Sequence, residues 1–306
     1  MSIPDTIYKA HATGNDFIVY EDESGRFDPM PAEVRALCDR HRGVGADGVL
    51  RLARSRAVEG ISPGLRHDCM EAGAMWFMDY RNADGSVAEM CGNGTRAITL
   101  VAQRLGLVPR QVGSTFPLGT RAGVKTLTFL GDVEPYGRNV FRVDMGPWRQ
   151  GEDDSFEVTI PGTRGEARGT FVDMGNPHVV AVLGGSRSVS GAAMLPALEE
   201  LDLVTKPVVS PVLESDQNVE FVRIDGIDDD VEDRIGHASM RVNERGVGET
   251  LSCGTGLCAT GVVLRARTGV SHWDVTVRGG VLRVDVDDDH VELTGPATIV
   301  GRVALL

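Results

Sequence analysis

The feature that most constrains the fold is a repeat of two short motifs, each of which occurs twice in the chain. CGNG at 91–94 returns as CGTG at 253–256, and GNDF at 14–17 returns as GNPH at 175–178. The separations are 162 and 161 residues. Because two independent motifs keep nearly the same offset, we interpret the chain as a duplicated domain. We expect pseudo-twofold halves whose equivalent cysteines face each other across the domain interface, where ligand sites commonly form.

Each repeated cysteine precedes a predicted helix. The segments 93–106 and 255–268 carry apolar residues at helical spacing, with a glycine just before each segment and another near its end. A polar residue in a strand-to-turn sequence lies nine residues before each thiol, Asn82 in the first half and Glu244 in the second. The repeat therefore predicts the same order of strand, turn and helix in both halves.

Most of the remaining sequence has the pattern of short strands separated by Gly, Pro and Asp turns. The runs are 17–20, 141–145, 171–174, 219–224, 275–277 and 282–286. An amphipathic helix is predicted at 32–40, with Cys38 on its inner side. The segment 53–74, rich in Gly, Pro and charge, is predicted to be a long loop or insertion. Cys69 would then be a loop thiol, and Cys258 a packing residue of the second repeated helix.

Length and charge narrow the class of protein. The chain has 306 residues, enough for two ordinary domains, and its 44 acidic and 31 basic residues give a net charge of −13. That charge repels nucleic acid and anionic membranes, and no basic stripe offsets it. The N-terminus lacks a signal-peptide pattern, and no apolar run reaches the ~18 residues of a membrane helix. We therefore expect a cytoplasmic protein.

The five cysteines are too few, and odd in number, for a disulfide scaffold, so reduced thiols are expected. A thiol at a helix N-terminus lies at the positive end of the helix dipole, which lowers its pKa and favours the thiolate. The glycines after Cys91 and Cys253 allow backbone N–H groups to approach an anion closely. Each helix start can therefore combine a base with a carboxylate-binding site.

A duplicated base suits the inversion of an α-carbon. This reaction removes hydrogen from one face and returns it to the other, so two acid/base groups must flank the carbon. Helix N-termini directed at the substrate carboxylate stabilise the enolate-like transition state. The sequence has no sign of a pyridoxal site or a Rossmann fingerprint, and its Cys and His residues lack zinc-ligand spacing. We expect neither a cofactor nor a metal.

Ordinary packing is the alternative for each of these residues taken alone. A cysteine before glycine in a buried helix start is more often a small core residue than a catalyst, and a single histidine is more often structural. The duplication favours the functional interpretation of both thiols. His178 directly follows the motif copy that matches Asn15, and this position favours a role in tuning a nearby thiol.

Distinctive motifs span nearly the whole chain. They are HATGNDF (11–17), DRHRGVGADG (39–48), NADGSVAEMCGNGTRA (82–97), MGNPHVV (174–180), NVEFV (218–222), NERGVGETLSCGTG (243–256) and LTGPA (293–297). Together they resemble the motifs of the diaminopimelate epimerase family. They follow the family's order, and the two long motifs are highly specific.

The resemblance implies a role for each matching residue. Cys91 and Cys253 would be the base and acid, exchanging roles with the direction of the reaction, and His178 and Glu244 would adjust the thiol pKa values. Backbone donors to the reacting carboxylate would come from the start of each helix, at Gly92, Asn93, Gly254 and Thr255. The groups that hold the substrate's ammonium and carboxylate groups would be Asn15, Asn82, Asn176, Asn218, Glu244 and Arg245. The planar fork of Arg245 suits the distal carboxylate.

The implied fold is α/β, with two pseudo-symmetric domains that each wrap an antiparallel, barrel-like sheet around a central helix. We expect an N-terminal half at 1–138, a C-terminal half at 139–294, and a strand at 295–306 that returns to the first half. The implied activity is cofactor-independent interconversion of LL- and meso-diaminopimelate by two-base proton transfer, in lysine and peptidoglycan precursor biosynthesis. The expected partner is this small-molecule substrate, and a homodimer stays open.

The sequence departs from the family pattern at two places. Some members carry, at the position of Gly48, a Gln that contacts the substrate, so a backbone group or water would have to replace it here. The segment 53–74 is longer and more charged than the pattern requires. Neither departure affects the two thiols.

Other functions stay open beside the epimerase. A racemase for proline or hydroxyproline would use the same duplicated scaffold, but the polar residues beyond the thiols suit a substrate with a second zwitterionic head group. A thiol redox sensor is disfavoured because the chain lacks a CxxC motif. An amino-acid binding protein is disfavoured because the N-terminus lacks an export signal.

Overall fold

The structure, a computed structural model, describes residues 2–184, 193–229 and 233–306. The chain forms two compact units. Unit 1 comprises the chain up to Asp144 together with Thr294–Leu306, and unit 2 comprises Met145–Leu293. Each unit contains one long helix and a sheet of many short strands.

Unit 1 begins with a β-hairpin and ends with the C-terminal strand of the chain. The strands that begin in this unit are β1 (Thr6–Ala12), β2 (Asn15–Asp22), β3 (Gly48–Arg54), β4 (Trp76–Asn82), β5 (Val87–Ala88), β6 (Thr115–Thr120), β7 (Gly123–Val133), β8 (Gly137–Gly146) and β20 (Thr298–Ala304). Its helices are α1 (Pro31–Cys38), α2 (Pro63–Glu71) and α3 (Gly92–Arg104). The C-terminal β20 pairs antiparallel with β1, so both ends of the chain belong to one sheet.

Unit 2 has its long helix between β16 (Gly248–Glu249) and β17 (His272–Val277). The strands that begin in this unit are β9 (Arg149–Gln150), β10 (Phe156–Thr159), β11 (Ala167–Asp173), β12 (Pro177–Val182), β13 (Val208–Ser210), β14 (Asn218–Asp228), β15 (Ile235–Glu244), β16 (Gly248–Glu249), β17 (His272–Val277), β18 (Gly280–Val286) and β19 (Val291–Pro296). The long helix is α4 (Gly254–Thr268).

The two sheets have the same order of pairings. In unit 1, β1 and β2 are antiparallel, β2 and β3 parallel, β3 and β4 antiparallel, and β4 and β6 parallel. In unit 2, the same order runs through β11, β12, β14, β15 and β17. The predicted fold of two similar halves is confirmed, and parallel pairs interrupt the otherwise antiparallel sheets. These pairs place Phe17 opposite Gly48 and His178 opposite Asn218.

Each long helix is the centre of its unit. Strands β1, β2, β3, β4 and β20 pack against α3, while β11, β12, β14, β17 and β18 pack against α4, so each sheet curves around its helix. Gly261 allows close approach of α4 to β18, because a Cβ there would lie 2.5 Å from Val284 Cγ1. Gly269, at φ 74°, ends α4 by donating to Arg265 O. Of the helices in the described part of the chain, none is both long and apolar enough to span a membrane.

Of the two alternatives predicted for 53–74, a long loop or an insertion, the loop is wrong, because α2 occupies the centre of this segment. Ser62 caps the helix by accepting the Leu65 N–H at 3.1 Å, and Pro63 occupies the first turn. Cys69, predicted to be a loop thiol, is fully buried on this helix in an apolar cluster with Phe77. The segment is therefore an ordered part of unit 1 with its own small core.

Candidate active site

In unit 1, Cys91 is the N-cap of α3. Its backbone is extended, its carbonyl accepts the first helical hydrogen bond from Thr95, and its Sγ accepts the Gly94 N–H at 3.4 Å. Gly94 is tightly enclosed, since a Cβ there would lie 3.3 Å from Leu50 Cδ2 and 3.4 Å from Cys91 Cβ. The CGNG motif thus places a sulfur atom and the N–H groups of a helix start side by side.

Asn15 faces the Cys91 thiol in a fixed orientation. Its amide nitrogen donates to Asp47 Oδ2 at 2.7 Å. Because a carboxylate only accepts, the carbonyl oxygen of Asn15 must point the other way. There it accepts from Cys91 Sγ at 3.5 Å and from Asn93 Nδ2 at 3.3 Å. The structure therefore brings together three of the predicted residues of this half.

Asn93 is held in place by a buried arginine. Arg96, fully buried, donates to Asn93 Oδ1 at 2.6 Å and to Gly92 O at 3.4 Å. Thr13 also donates to Asn93 Oδ1, at 3.5 Å. Sequence reasoning missed Arg96 and Asp47, although a charged residue one turn into a largely apolar helix is a usable signal.

Asn82 lies at the end of β4, opposite Gly48. Its side chain donates to Ser86 Oγ at 3.0 Å, within the turn that follows the strand. Gly48 is buried against Tyr80, and a Cβ at this position would lie 2.5 Å from the Tyr80 ring. A longer side chain at 48 would require Tyr80 to move, which gives a physical reason for the departure from the family pattern.

In unit 2, Cys253 is the N-cap of α4 and is more deeply buried, with 6% of its surface exposed. Its carbonyl accepts the first helical hydrogen bond from Leu257, and its Sγ contacts Thr255 Oγ1 at 3.6 Å. A Cβ at Gly256 would lie 2.5 Å from Glu220 Oε1. Position 256 therefore has to be glycine, because the Glu220 carboxylate lies against the first turn of the helix and leaves no room for a side chain.

A chain of polar contacts leads away from Cys253. Asn176 Nδ2 donates to Thr255 Oγ1 at 3.4 Å, and Asn176 Oδ1 lies 3.2 Å from His178 Nε2. His178 Nδ1 lies 2.7 Å from Glu220 Oε1, and both of these side chains are fully buried. Glu220 was missed as a site residue, although a lone Glu within the apolar strand sequence NVEFV is a usable signal.

The expectation that the helix start would lower the thiol pKa is wrong for Cys253. Burial raises the pKa of this thiol well above its ordinary value, and the charges of Glu244 and Glu220 raise it further. Hydrogen bonds from Thr255 and the Gly256 N–H act in the opposite direction but are weaker. Burial also raises the pKa of Glu244, to which Thr250 donates a hydrogen bond. Cys253 at rest is therefore a protonated thiol.

Asn218 and Arg245 form a second polar group in unit 2. Asn218 Nδ2 donates to Pro177 O at 3.2 Å, and its Oδ1 accepts the Arg245 N–H at 2.9 Å. The Arg245 side chain is exposed and donates only weakly, to Asp216 O at 3.4 Å. Its guanidinium group is thus accessible to a ligand.

The structure gathers most of the predicted residues beside the two helix starts. Those beside α3 are Asn15, Cys91, Gly92 and Asn93, and those beside α4 are Asn176, His178, Glu244, Cys253, Gly254 and Thr255. Asn82, Asn218 and Arg245 make contacts of their own at strand ends or in turns. Among the residues the structure describes, no three His, Cys, Asp or Glu side chains are grouped to hold a metal ion.

Sequence comparisons with known proteins agree on one family, and structural comparisons find the same fold in others. The chain matches the family model described as diaminopimelate epimerase over residues 7–150 and 170–300. The diaminopimelate epimerase of Corynebacterium glutamicum is 40% identical over 297 residues, 95% of each chain. A PhzF-family phenazine biosynthesis protein of Bacillus anthracis aligns with a TM-score of 0.64 at 15% identity over 98% of both chains. A probable proline racemase of Agrobacterium radiobacter aligns with 0.61 at 18% identity over 98% of this chain and 92% of that one.

The two solved structures show a shared fold alone, since their sequence identity to this chain is low. The family model and the relative from Corynebacterium glutamicum cover almost the whole sequence, including both CGxG motifs. The chain belongs to the diaminopimelate epimerase family.

Proposed function

We propose that this chain interconverts LL- and meso-diaminopimelate in lysine biosynthesis, with Cys91 and Cys253 as the two acid/base groups. The observation that carries the proposal is that each half of the duplicated fold has a cysteine as the N-cap of its central helix. Family membership supports the same substrate and the same reaction. Inversion requires one such group on each face of the α-carbon, and the duplication supplies two.

The two thiols begin the reaction in different states. The raised pKa of Cys253 supports its assignment as the proton donor of the resting enzyme. Cys91, whose S–H donates to Asn15 Oδ1 in the structure, first loses this proton to solvent. As the thiolate it then takes a proton from the opposite face of the α-carbon, and the substrate carbanion receives a proton from Cys253. After one turnover the protonation states are exchanged, so the enzyme is ready for the reverse direction.

The helix starts stabilise the charge that develops on the reacting carboxylate. The first N–H groups of a helix have no partner within the helix and carry a partial positive charge. Those of Gly92 and Asn93, and of Gly254 and Thr255, are the proposed donors. Because this charge is greatest in the enolate-like transition state, donors fixed by the helices lower the barrier without reorganising.

The remaining polar residues account for the choice of substrate. Diaminopimelate carries a second ammonium and carboxylate pair, which proline lacks. We assign Arg245 to the distal carboxylate, because its side chain is exposed and the hydrogen bond of its guanidinium to Asp216 O is long, at 3.4 Å. Asn82 and Asn218 supply the amide groups that complete this end of the substrate.

The test is to incubate the purified protein with LL-diaminopimelate and to measure meso-diaminopimelate by chiral chromatography. Cys91→Ala and Cys253→Ala are the matched controls, and both should be inactive. L-proline and trans-4-hydroxy-L-proline are assayed in parallel. Conversion of either of these, with none of diaminopimelate, would replace this proposal by a racemase acting on cyclic amino acids.

A further inference from the structure

The polar pair behind Cys253 replaces an apolar pair in unit 1. The positions that correspond to His178 and Glu220 are Phe17 and Leu50, on the equivalent parallel strands, and both side chains are fully buried. Glu220 lies against Gly256 as Leu50 lies against Gly94, in the first turn of each long helix. The fold can therefore pack apolar side chains at these two positions, as it does in unit 1. The presence of a carboxylate and an imidazole in unit 2 needs an explanation other than packing.

Folding stability does not explain Glu220. Its Oε1 contacts His178 Nδ1, but its Oε2 is buried with no hydrogen-bond partner among residues 2–184, 193–229 and 233–306. A buried polar atom without a partner costs about 1–3 kcal/mol. A buried ion pair is also often no more stable than an apolar pair of similar size. The explanation therefore has to come from what Glu220 does to His178.

Glu220 determines which ring nitrogen of His178 can exchange its proton. An ionised carboxylate only accepts hydrogen bonds, so Nδ1, which faces Oε1, keeps its hydrogen. Nε2, which faces Asn176, carries a hydrogen in the imidazolium and a lone pair in the neutral ring. The amide of Asn176 has one donor end and one acceptor end. Its orientation therefore follows the protonation of Nε2.

When His178 is protonated, all the contacts can run in one direction with the Asn176 amide oriented as in the structure. Nε2–H donates to Asn176 Oδ1, and Asn176 Nδ2 donates to Thr255 Oγ1. The Thr255 hydroxyl hydrogen is then available to Cys253 Sγ, 3.6 Å away, where it stabilises a thiolate.

When His178 is neutral, the directions reverse. The Asn176 amide rotates by half a turn, so its NH₂ donates to Nε2 and its carbonyl accepts the Thr255 hydroxyl. The Thr255 oxygen can then accept the S–H of Cys253, which stabilises the protonated thiol. Protonated His178 thus favours anionic Cys253, and neutral His178 favours neutral Cys253.

We propose that Glu220 is a positioning residue that couples the charge on Cys253 to the protonation of His178 through Asn176 and Thr255. Its use in catalysis rests on the function proposed above, whereas the coupling itself can be measured without substrate. Cys253 also faces Glu244 of β15 and the Gly256 N–H of α4, the charge of Glu220 of β14 acts on it, and His178 of β12 contacts Glu220. Burial and the charges of Glu244 and Glu220 raise the pKa of Cys253 and favour the thiol, whereas the coupling to protonated His178 acts to lower this pKa.

The experiment measures the alkylation rate of each cysteine by iodoacetamide across pH, with the modified peptides quantified by mass spectrometry. Glu220→Gln discriminates between two effects of opposite sign. Loss of a nearby negative charge alone would favour the thiolate and speed alkylation of Cys253. Loss of the coupling removes the carboxylate that stabilises the His178 imidazolium, and with it the stabilisation of the Cys253 thiolate. We therefore expect several-fold slower alkylation of Cys253 at neutral pH. The described contacts of Cys91 lead through Asn15 to Asp47 and involve neither Glu220 nor His178, so Cys91 is the internal control and should be unchanged.

Two further variants test the path. Thr255→Val breaks the chain without changing any charge, so it should slow the alkylation of Cys253. In this background Glu220→Gln should no longer slow the alkylation, and the loss of its negative charge should speed it instead. Thr255→Ser keeps a hydroxyl group, so it should preserve both the alkylation rate of Cys253 and the slowing by Glu220→Gln. The double variant His178→Phe with Glu220→Leu copies the packing of unit 1 and guards against misfolding. It removes the imidazole and the carboxylate together, so the pH dependence of Cys253 alkylation should change.

Three results would overturn the proposal. They are faster or unchanged alkylation of Cys253 in Glu220→Gln, an undiminished slowing by Glu220→Gln in the Thr255→Val background, and an unchanged pH profile in the double variant. Because no substrate is present, none of these results depends on whether the protein epimerises diaminopimelate. The epimerase assay tests that function separately.

Discussion

Glu220 Oε1 occupies the space that a side chain at Gly256 would need, 2.5 Å from the position of a Cβ. At the equivalent Gly94 the neighbour is the end of a flexible side chain, Leu50 Cδ2, at 3.3 Å. The second glycine of each CGxG motif is therefore enclosed for a different reason. In unit 1 it permits close apolar packing, and in unit 2 it leaves room for a buried carboxylate.

A matched pair of alanine substitutions should separate these two reasons. In Gly256→Ala the new methyl group displaces the Glu220 carboxylate that contacts His178. Because catalysis depends on positions held to a fraction of an ångström, we expect at least a tenfold loss of kcat. In Gly94→Ala, a shift of a few tenths of an ångström in the Leu50 side chain relieves the contact, and alanine favours a helix by about 0.5–1 kcal/mol. We therefore expect a smaller loss of kcat in Gly94→Ala than in Gly256→Ala. Thermal unfolding and steady-state kinetics of both variants check this. A Gly94→Ala enzyme as impaired as Gly256→Ala would contradict it.

The second prediction concerns acid stability and a buried ion pair in unit 1. Arg51 lies between Asp22, at 2.8 Å, and Asp79, at 3.3 Å, and all three side chains are almost fully buried. Burial acts to raise the pKa of Asp22, but the N–H groups of Phe27 and Arg26 and the guanidinium of Arg51 outweigh it and lower the pKa. A carboxylate with a lowered folded-state pKa contributes stability above its unfolded-state pKa and loses it as the pH falls.

We therefore expect the free energy of unfolding to decrease as the pH drops below about 4, where an unfolded aspartate begins to bind protons. Asp22→Asn should lower stability at neutral pH by on the order of 3 kcal/mol and make the loss at acid pH smaller. Urea unfolding at several pH values measures both effects. The exposed Glu59→Gln is the control, and its curve should match the unaltered protein. Equal acid sensitivity in Asp22→Asn would exclude this residue as a cause.

The third prediction tests the residue assigned to the distal carboxylate. Arg245→Ala should raise KM for diaminopimelate by about tenfold or more, because a charge-assisted hydrogen bond contributes about 1.5–3 kcal/mol. Arg245→Lys should recover little, since an ammonium group cannot form two parallel bonds with a carboxylate. Arg234→Ala removes an exposed arginine that pairs with Asp229, and it serves as the control. Unchanged KM in Arg245→Ala would remove this residue from the site.

The sequence alone was sufficient to predict the duplication and both central helices. The helices predicted at 93–106 and 255–268 are observed at Gly92–Arg104 and Gly254–Thr268. These boundaries were predictable because helical periodicity coincides with local end signals, the CGxG starts and a terminal glycine. The helix α2 was not predictable in the same way. Its sequence PGLRHDCME is mostly polar, and Cys69 is the residue that it buries.

The parts of the site that escaped prediction depend on contacts between distant strands. His178 and Glu220 are 42 residues apart and meet because β12 and β14 pair in parallel with His178 opposite Asn218. No local pattern specifies that register, so NVEFV was predicted only as a strand. The raised pKa of Cys253 was not predicted, for the same reason. A helix start is visible in sequence, whereas burial beside Glu244 and Glu220 is visible only in the structure.

The last prediction concerns the route of the proton, and it follows from the proposal that each thiol serves one face of the α-carbon. In D₂O the exchangeable S–H of the donor becomes S–D before the first turnover, so newly formed epimer should carry deuterium at the α-carbon from the start. Substrate recovered early should stay largely protiated. A single base would remove and return the same hydrogen, and part of the early product would then retain protium. Mass spectrometry of both epimers in the first few per cent of conversion distinguishes these cases.

Cys91→Ala and Cys253→Ala should each abolish epimerisation in both directions, because each direction needs both faces. Protium retention in early product, or an active single-cysteine variant, would falsify the two-thiol assignment even if the epimerase activity itself were confirmed.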